Sequence, residues 1–122
     1  MESPFKRKTR IKRLINAIGY SFAGFKVAFK KEDAFRQEVL MTLILIPLAI
    51  YLSNNGTELV LLIFSTLLVP IVELLNSAIE ATVDRISLEK HKLAKRAKDI
   101  GSAAVFLSLV NLSAVWLIII FY

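Results

Sequence analysis

Three apolar stretches, Val39 to Ser53, Leu59 to Ile79 and Gly101 to Tyr122, constrain this chain more than any other feature. A helix needs about 20 residues to cross the hydrocarbon core of a bilayer, and the second and third stretches have that length. The first is shorter, but Ala34, Phe35 and the stem of Arg36 extend it toward the interface, where a basic head group reaches water. Hydrophobic residues make up 56% of the 122 positions, which is too oily for an ordinary soluble domain. The length allows one compact unit, residues 1–122, and no second domain. The expected fold is all-α and membrane-embedded, with spans over about 34–53, 59–80 and 100–121.

The charges orient these spans. Of the sixteen Lys and Arg, ten lie between Lys6 and Arg36 and six between Arg85 and Lys98. The polar turn Asn54-Asn55-Gly56-Thr57-Glu58 has none. The positive-inside rule then makes the N-terminus and the 85–98 connection cytoplasmic, with the Asn-Gly turn and Tyr122 outside. A cleavable signal peptide is not expected, because no apolar run begins near the basic N-terminus. Residues 1–12 are basic, carry Pro4 and are expected to fray. From 13 to about 30, Leu14, Ile15, Ile18, Phe22, Phe25 and Phe29 recur among Arg13, Asn16, Lys26 and Lys30. That pattern suits a helix lying in the membrane surface, although a plain anchor would share it. Lys31-Glu32-Asp33-Ala34 marks the break into the first span. Pro47 and Pro70 fall inside spans, where a kink or local adjustment is expected. Gly101, Ser102, Ala103 and Ala104 open the third span with small side chains that permit close helix contact.

The chemistry is concentrated in Val72 to Asp84. At 100° per residue, Glu73, Asn76, Glu80 and Asp84 share roughly one quarter of a helix circumference. Carboxylates at that depth cost several kcal/mol each unless they meet a partner, so they are functional candidates by default. An outer carboxylate can hold a divalent cation while a deeper one accepts a proton, and Mg²⁺ favours one or two carboxylates plus phosphate oxygens and water. The same acids could instead pair with basic side chains, an alternative strongest for Asp84 beside Arg85. Glu32 and Glu38 flank the start of the first span as a possible second carboxylate source or as a solvated charge cluster. Lys98 and Asp99 suit either phosphate binding or interfacial anchoring, and His91 sits among lysines. Cysteine is absent, excluding disulfides and thiolate metal sites. Gly19 to Lys26 has glycines at phosphate-loop spacing but lacks the Gly-Lys-Ser/Thr ending and a preceding buried strand. The motif set of soluble protein kinases is missing as well.

Glu73-Leu74-Leu75-Asn76-Ser77-Ala78-Ile79-Glu80-Ala81-Thr82-Val83-Asp84-Arg85, followed by Arg96-Ala97-Lys98-Asp99-Ile100-Gly101-Ser102-Ala103-Ala104-Val105, resembles the prokaryotic integral-membrane diacylglycerol kinase family. Ala17 to Ser21 and Ala34 to Glu38 are similar to that family too, and the resemblance runs over roughly residues 13–122. It implies a trimeric helical bundle, a homotrimer with sites between protomers, that transfers the γ-phosphate of MgATP to diacylglycerol and yields phosphatidic acid. By position it implies Glu73 as general base with Asn76 ordering the site, and Glu32 and Glu80 as metal ligands. Around ATP it implies Arg13, Tyr20, Glu32, Glu80, Glu89, Lys90, His91, Lys98 and Asp99. Around the lipid it implies Arg13, Ala17, Ile18, Gly19, Tyr20, Ser21, Phe22, Lys26 and Phe29 of the surface helix. Ala34, Phe35, Arg36, Gln37, Glu38 and Tyr51 of the first span, with Glu73 and Ser102, complete that set. The family setting is the bacterial inner membrane, and no nucleic-acid partner is expected.

The chain departs from the family pattern at Asn16, Phe22, Phe29, Pro47, Pro70 and Lys90, positions that bear on lipid preference and nucleotide stacking. Undecaprenol kinase, of the same superfamily, shares the glutamates and the asparagine. Ala34 to Glu38 and Lys98 to Ala104 look closer to the diacylglycerol branch. A small ion-conducting subunit would need a polar face through every span, against which Leu59 to Leu68 and Trp116 to Tyr122 argue. A lipid-binding scaffold would not need a buried free carboxylate at Glu73.

Overall fold

The computed structural model describes residues 4–86 and 92–122. Four helices follow one another: α1, Pro4–Lys31; α2, Asp33–Leu52; α3, Gly56–Ile86; and α4, Lys92–Phe121. The last three are long and apolar enough to cross a membrane. The chain is thus an all-α, multi-pass membrane protein in architecture, and helices pack chiefly on their neighbours in sequence, α3 with α4 most closely.

α1 starts earlier than the basic composition suggests. Residues 4–12, expected to fray, are helical. Proline is tolerated in a first helical turn, where its missing N–H has no partner to lose. The apolar stripe of Ile11, Leu14, Ile15, Ile18, Phe22, Phe25 and Phe29 then continues at helical spacing, all of it exposed. An exposed oily stripe backed by basic residues suits a helix lying at a lipid surface.

The expected break falls on one residue. Glu32 has extended backbone, φ −113° and ψ 107°. Arg36 braces this elbow by donating from Nη1 to the carbonyls of Phe29 and Lys30, each at 2.8 Å, while Nη2 pairs with Asp33. A guanidinium at the last carbonyls of α1 satisfies acceptors that a helix end otherwise leaves open, and it complements the helix dipole.

At the opposite end of α2, Asn55 caps α3. Its Oδ1 accepts from the Glu58 N–H at 2.9 Å, and Glu58 Oε1 accepts in turn from the Asn54 N–H at 3.0 Å. This reciprocal arrangement is a variant of the capping box. Pro47 and Pro70 both lie inside unbroken helices.

The small core consists of Ala49, Leu62, Val69, Leu112 and Trp116. Its polar members are satisfied locally: Ser65 and Thr66 donate to the Leu62 carbonyl at 3.1 and 2.7 Å, and Ser108 donates to Val105. Between helices, Trp116 Nε1 donates to Thr66 Oγ1 at 3.1 Å. With no water in the hydrocarbon region, such internal partners are what make polar groups tolerable there.

Candidate functional site

The acidic face of α3 turns inward as its periodicity predicts. Glu73 and Asn76 are only 6% and 7% exposed, and Glu38 of α2 is 8% exposed. Glu73 feels the negative charges of Glu80 and Glu32, and Glu38 feels that of Glu73. Three pieces of chain therefore place carboxylates within electrostatic reach of Glu73: the α1–α2 elbow supplies Glu32, the second turn of α2 supplies Glu38, and α3 itself supplies Glu80. Among the described residues no ion pair reaches any of these four carboxylates. Asn76 lies between Glu73 and Glu80 on the same face and directs Nδ2 to Glu80 Oε1 at 3.4 Å. Glu38 Oε2, Asn76 Oδ1 and Ser77 Oγ are buried without hydrogen-bond partners among the described residues.

Concentrated negative charge of this kind is unfavourable in a low-dielectric setting unless a cation or a proton joins it. The donors are hard carboxylate oxygens, few in number, with open lone pairs. Among the described residues no group of three or more metal-ligating side chains occurs, so a cation would have to complete its shell from elsewhere. Mg²⁺ has that habit, taking one or two protein carboxylates together with substrate phosphates and water. The residues present fit such an ion.

The C-terminal end of α3 and the N-terminal end of α4 meet through Lys98, whose Nζ lies 2.6 Å from Asp84 Oδ1 and which also feels Glu80. Asp84 thus follows the pairing alternative, with Lys98 rather than Arg85 as its partner. Asp99 pairs with Lys95 of its own helix at 2.6 Å.

Two open grooves border α1 and α3. One, of about 680 Å³, runs between α1, α2 and α3 and is lined by Phe25, Lys26, Phe29, Lys30, Phe35, Val39, Thr42, Leu43, Leu67, Pro70, Ile71 and Leu74. The other, of about 740 Å³, lies between α1 and α3 and includes Ser21, Lys31, Glu32, Ser77, Ala78 and Ala81. An oily slot with Lys26 and Lys30 in its lining is suited to an amphiphile with a polar end.

Comparison with known proteins identifies the family. Residues 19–120 match the family model for prokaryotic diacylglycerol kinase. The chain belongs to the prokaryotic diacylglycerol kinase family. It is 57% identical over 114 residues to the diacylglycerol kinase of Pseudomonas aeruginosa, covering 93% of each chain. The Haemophilus influenzae diacylglycerol kinase is 49% identical over 116 residues, covering 95% of this chain and 98% of that one. The Escherichia coli K12 diacylglycerol kinase is 47% identical over 112 residues, covering 92% of each. Neither undecaprenol kinase nor an ion-conducting subunit is favoured by these matches.

Within the diacylglycerol kinase frame, the residues singled out from sequence fall into three groups. Glu32, Glu38 and Glu80 lie within electrostatic reach of Glu73, Asn76 faces Glu80, and Lys98 feels Glu80. Lys26, Phe29 and Phe35 line the first groove and Ser21 the second. Arg13, Ala17, Ile18, Gly19, Tyr20 and Phe22 stand exposed along α1 and line neither groove, while Ala34, Gln37 and Ser102 are also exposed. Arg13 lies roughly 28 Å along α1 from Glu32, and Tyr51, 84% exposed, lies roughly 20 Å along α2 from Glu38. Glu89, Lys90 and His91 lie outside the described residues.

Three participants were not singled out from sequence. Ser77 presents an unpartnered hydroxyl beside the second groove. Thr66 and Trp116 tie α3 to α4; the single tryptophan of the chain, placed late in an otherwise aliphatic span, was the available signal. Arg36 also has a structural task, since its guanidinium holds the α1–α2 elbow.

Proposed function

We propose that this chain phosphorylates diacylglycerol with ATP at the cytoplasmic face of the bacterial inner membrane, giving phosphatidic acid. The observation that carries the reading is the buried Glu73 carboxylate, lodged among other carboxylates and reached by no cation of the described residues. In this reading Glu73 accepts the proton of the lipid hydroxyl at one of its carboxylate oxygens. The resulting oxygen nucleophile forms a bond to the γ-phosphorus as the bond to ADP breaks. Phosphoryl transfer of this kind depends on positioning and on charge neutralisation more than on covalent participation by the protein. Glu32 and Glu80 would hold Mg²⁺, which when bound screens the charge of the triphosphate. Asn76 orients Glu80 from within the same helix face, and Lys98 with Asp99 approaches the nucleotide from α4. Glu89, Lys90 and His91 are assigned to the nucleotide on resemblance alone.

Depth supports the division of labour. Glu73 lies roughly 16 Å along α3 from Asp84, so a base at the level of a lipid hydroxyl and a phosphate-binding end at the membrane surface share one helix. The basic segments 6–36 and 85–98 orient both surface helix and connection toward the cytoplasm, leaving the C-terminus outside. We assign residues 1–122 to one catalytic unit, with the surface helix over about 13–30 and the spans over about 34–53, 59–80 and 100–121. In the homotrimer we propose, Arg13, Tyr20 and the rest of the exposed α1 set complete the ATP and lipid subsites of a neighbouring copy. The length of α1 supports this, since Arg13 is far from its own Glu32. The lipid lies along the groove of Lys26, Phe29 and Phe35, bordered by Ala34, Arg36, Gln37, Glu38 and Ser102, with Tyr51 toward the far end of its chains.

The test is ATP-dependent labelling in mixed micelles, with diacylglycerol and undecaprenol offered in parallel, for wild type and Glu73→Gln. Removal of a general base typically costs 10²- to 10⁴-fold in turnover. Wild-type labelling of diacylglycerol that falls by about that factor in Glu73→Gln, with nucleotide binding retained, is the expected result. Normal turnover in the variant would refute the assignment of the base. Preferred labelling of undecaprenol would refute the substrate.

A further inference from the structure

Gly101 of α4 stands against Asn76 of α3, and among the four glycines it alone has near neighbours where a side chain would begin. A Cβ built there would overlap Asn76 Oδ1 and come within 3.1 Å of Asn76 Cγ. Oδ1 is buried without a hydrogen-bond partner, yet the amide keeps this orientation and aims Nδ2 at Glu80. Turning the amide over would place its oxygen against the Glu80 carboxylate, replacing a donor with a second acceptor. The bare backbone of Gly101 leaves the space in which Oδ1 rests while Nδ2 faces the carboxylate. Closely packed interiors offer little slack for an extra methyl group.

We propose that Gly101 is a positioning residue for phosphoryl transfer: by lacking a side chain, it seats the Asn76 amide so that Nδ2 holds Glu80. A methyl group at 101 displaces Oδ1, the amide rotates, and Glu80 loses its donor. This rests on the reading of Glu80 as a metal-nucleotide ligand, and it adds a residue from a different helix to that site. The small residues opening α4 therefore do more than allow helices to approach, because one of them sets the direction of a side chain on the facing helix.

The experiment is a double-mutant cycle on the full chain in micelles: wild type, Gly101→Ala, Asn76→Ala and the double variant. Direct binding of MnATP, followed by the paramagnetic signal of free Mn²⁺, is the first readout. The kcat and KM of wild type and Gly101→Ala are the second. Gly101→Ala is expected to weaken MnATP binding about tenfold. It should lower kcat at least as much, while KM for diacylglycerol stays within about twofold. In the Asn76→Ala background, where no amide remains to displace, Gly101→Ala should weaken binding no further. The double variant also removes the overlap, so it must fold even if Gly101→Ala alone does not.

Unchanged MnATP affinity in Gly101→Ala would overturn the proposal, as would penalties that simply multiply in the double variant. A double variant that fails to fold would overturn it too. A wild type that binds no MnATP would overturn the nucleotide-site reading itself, and this proposal with it. A wild type that binds while Gly101→Ala is unaffected would sink only the role of Gly101.

Discussion

Thr66→Val tests whether the α3–α4 pair is held by a buried polar contact remote from the chemistry. Thr66 is fully buried and accepts from Trp116 Nε1 at 3.1 Å, while Trp116 is 8% exposed. Valine keeps the branched shape and removes the acceptor. Thr66's own bond to the Leu62 carbonyl is also lost. That carbonyl remains within the helical ladder, so the main cost falls on the stranded indole N–H. Interhelical hydrogen bonds in membrane proteins average about 0.6 kcal/mol and reach about 1.7, whereas an unsatisfied buried donor costs about 1–3 kcal/mol. Because Trp116 sits in the core cluster, away from water, the cost for Thr66→Val should be about 1–2 kcal/mol. Thr66 precedes Glu73 by two helical turns, roughly 10 Å along the axis, so kcat should be unchanged below the unfolding transition.

Equilibrium unfolding by sodium dodecyl sulfate in mixed micelles, followed by circular dichroism, measures the loss. The cycle with Trp116→Phe isolates the pair, for which coupling of about 0.6–1.7 kcal/mol is expected. Fluorescence adds a separate check, since the chain has one tryptophan and loss of its acceptor should shift the emission. Zero coupling in the cycle would refute the contact as a stabilising element. A large drop in kcat at full folding would refute its independence from the site.

Asn55→Ala removes the side-chain acceptor for the Glu58 N–H and should cost about 1 kcal/mol of stability in the same unfolding assay, with turnover intact. Arg36→Met removes the donors to Phe29 and Lys30 at the elbow. A loss of about 1–2 kcal/mol there corresponds to a five- to thirtyfold larger opened population, read as faster tryptic cleavage after Lys30 and Lys31. KM for diacylglycerol should rise with it, because α1 forms one wall of both grooves, while unfolding of the spans should not change.

Much of this architecture is visible in the order of residues, because bilayer thickness and helical periodicity act on local runs. Apolar length marks three membrane-crossing helices, the 3.6-residue period gathers Glu73, Asn76 and Glu80 on one face, and the Lys-Glu-Asp step marks the turn at Glu32. Pairings between helices are less visible, since periodicity gives a face but not its rotation against a neighbour. Thr66 with Trp116, Gly101 with Asn76, and Lys98 with Asp84 all depend on that rotation. The early start of α1 was obscured by its charge: the basic run suggested fraying, while Ile11 already continues the apolar stripe.

The close union of α3 and α4 also bears on biosynthesis. Helices here pair chiefly with the neighbours made immediately before or after them, so each can dock soon after it emerges from the ribosome. α4 is made after the other three helices, and it carries both the glycine that faces Asn76 and the lysine that meets Asp84. Until residues 92–121 arrive, the amide and that carboxylate on α3 lack those contacts. A chain stalled after Ile86 would already contain two helices long enough to cross the bilayer, yet it would lack both contacts. Those two contacts of α3 thereby wait for α4, and a chain that lacks α4 should have no kinase activity of its own.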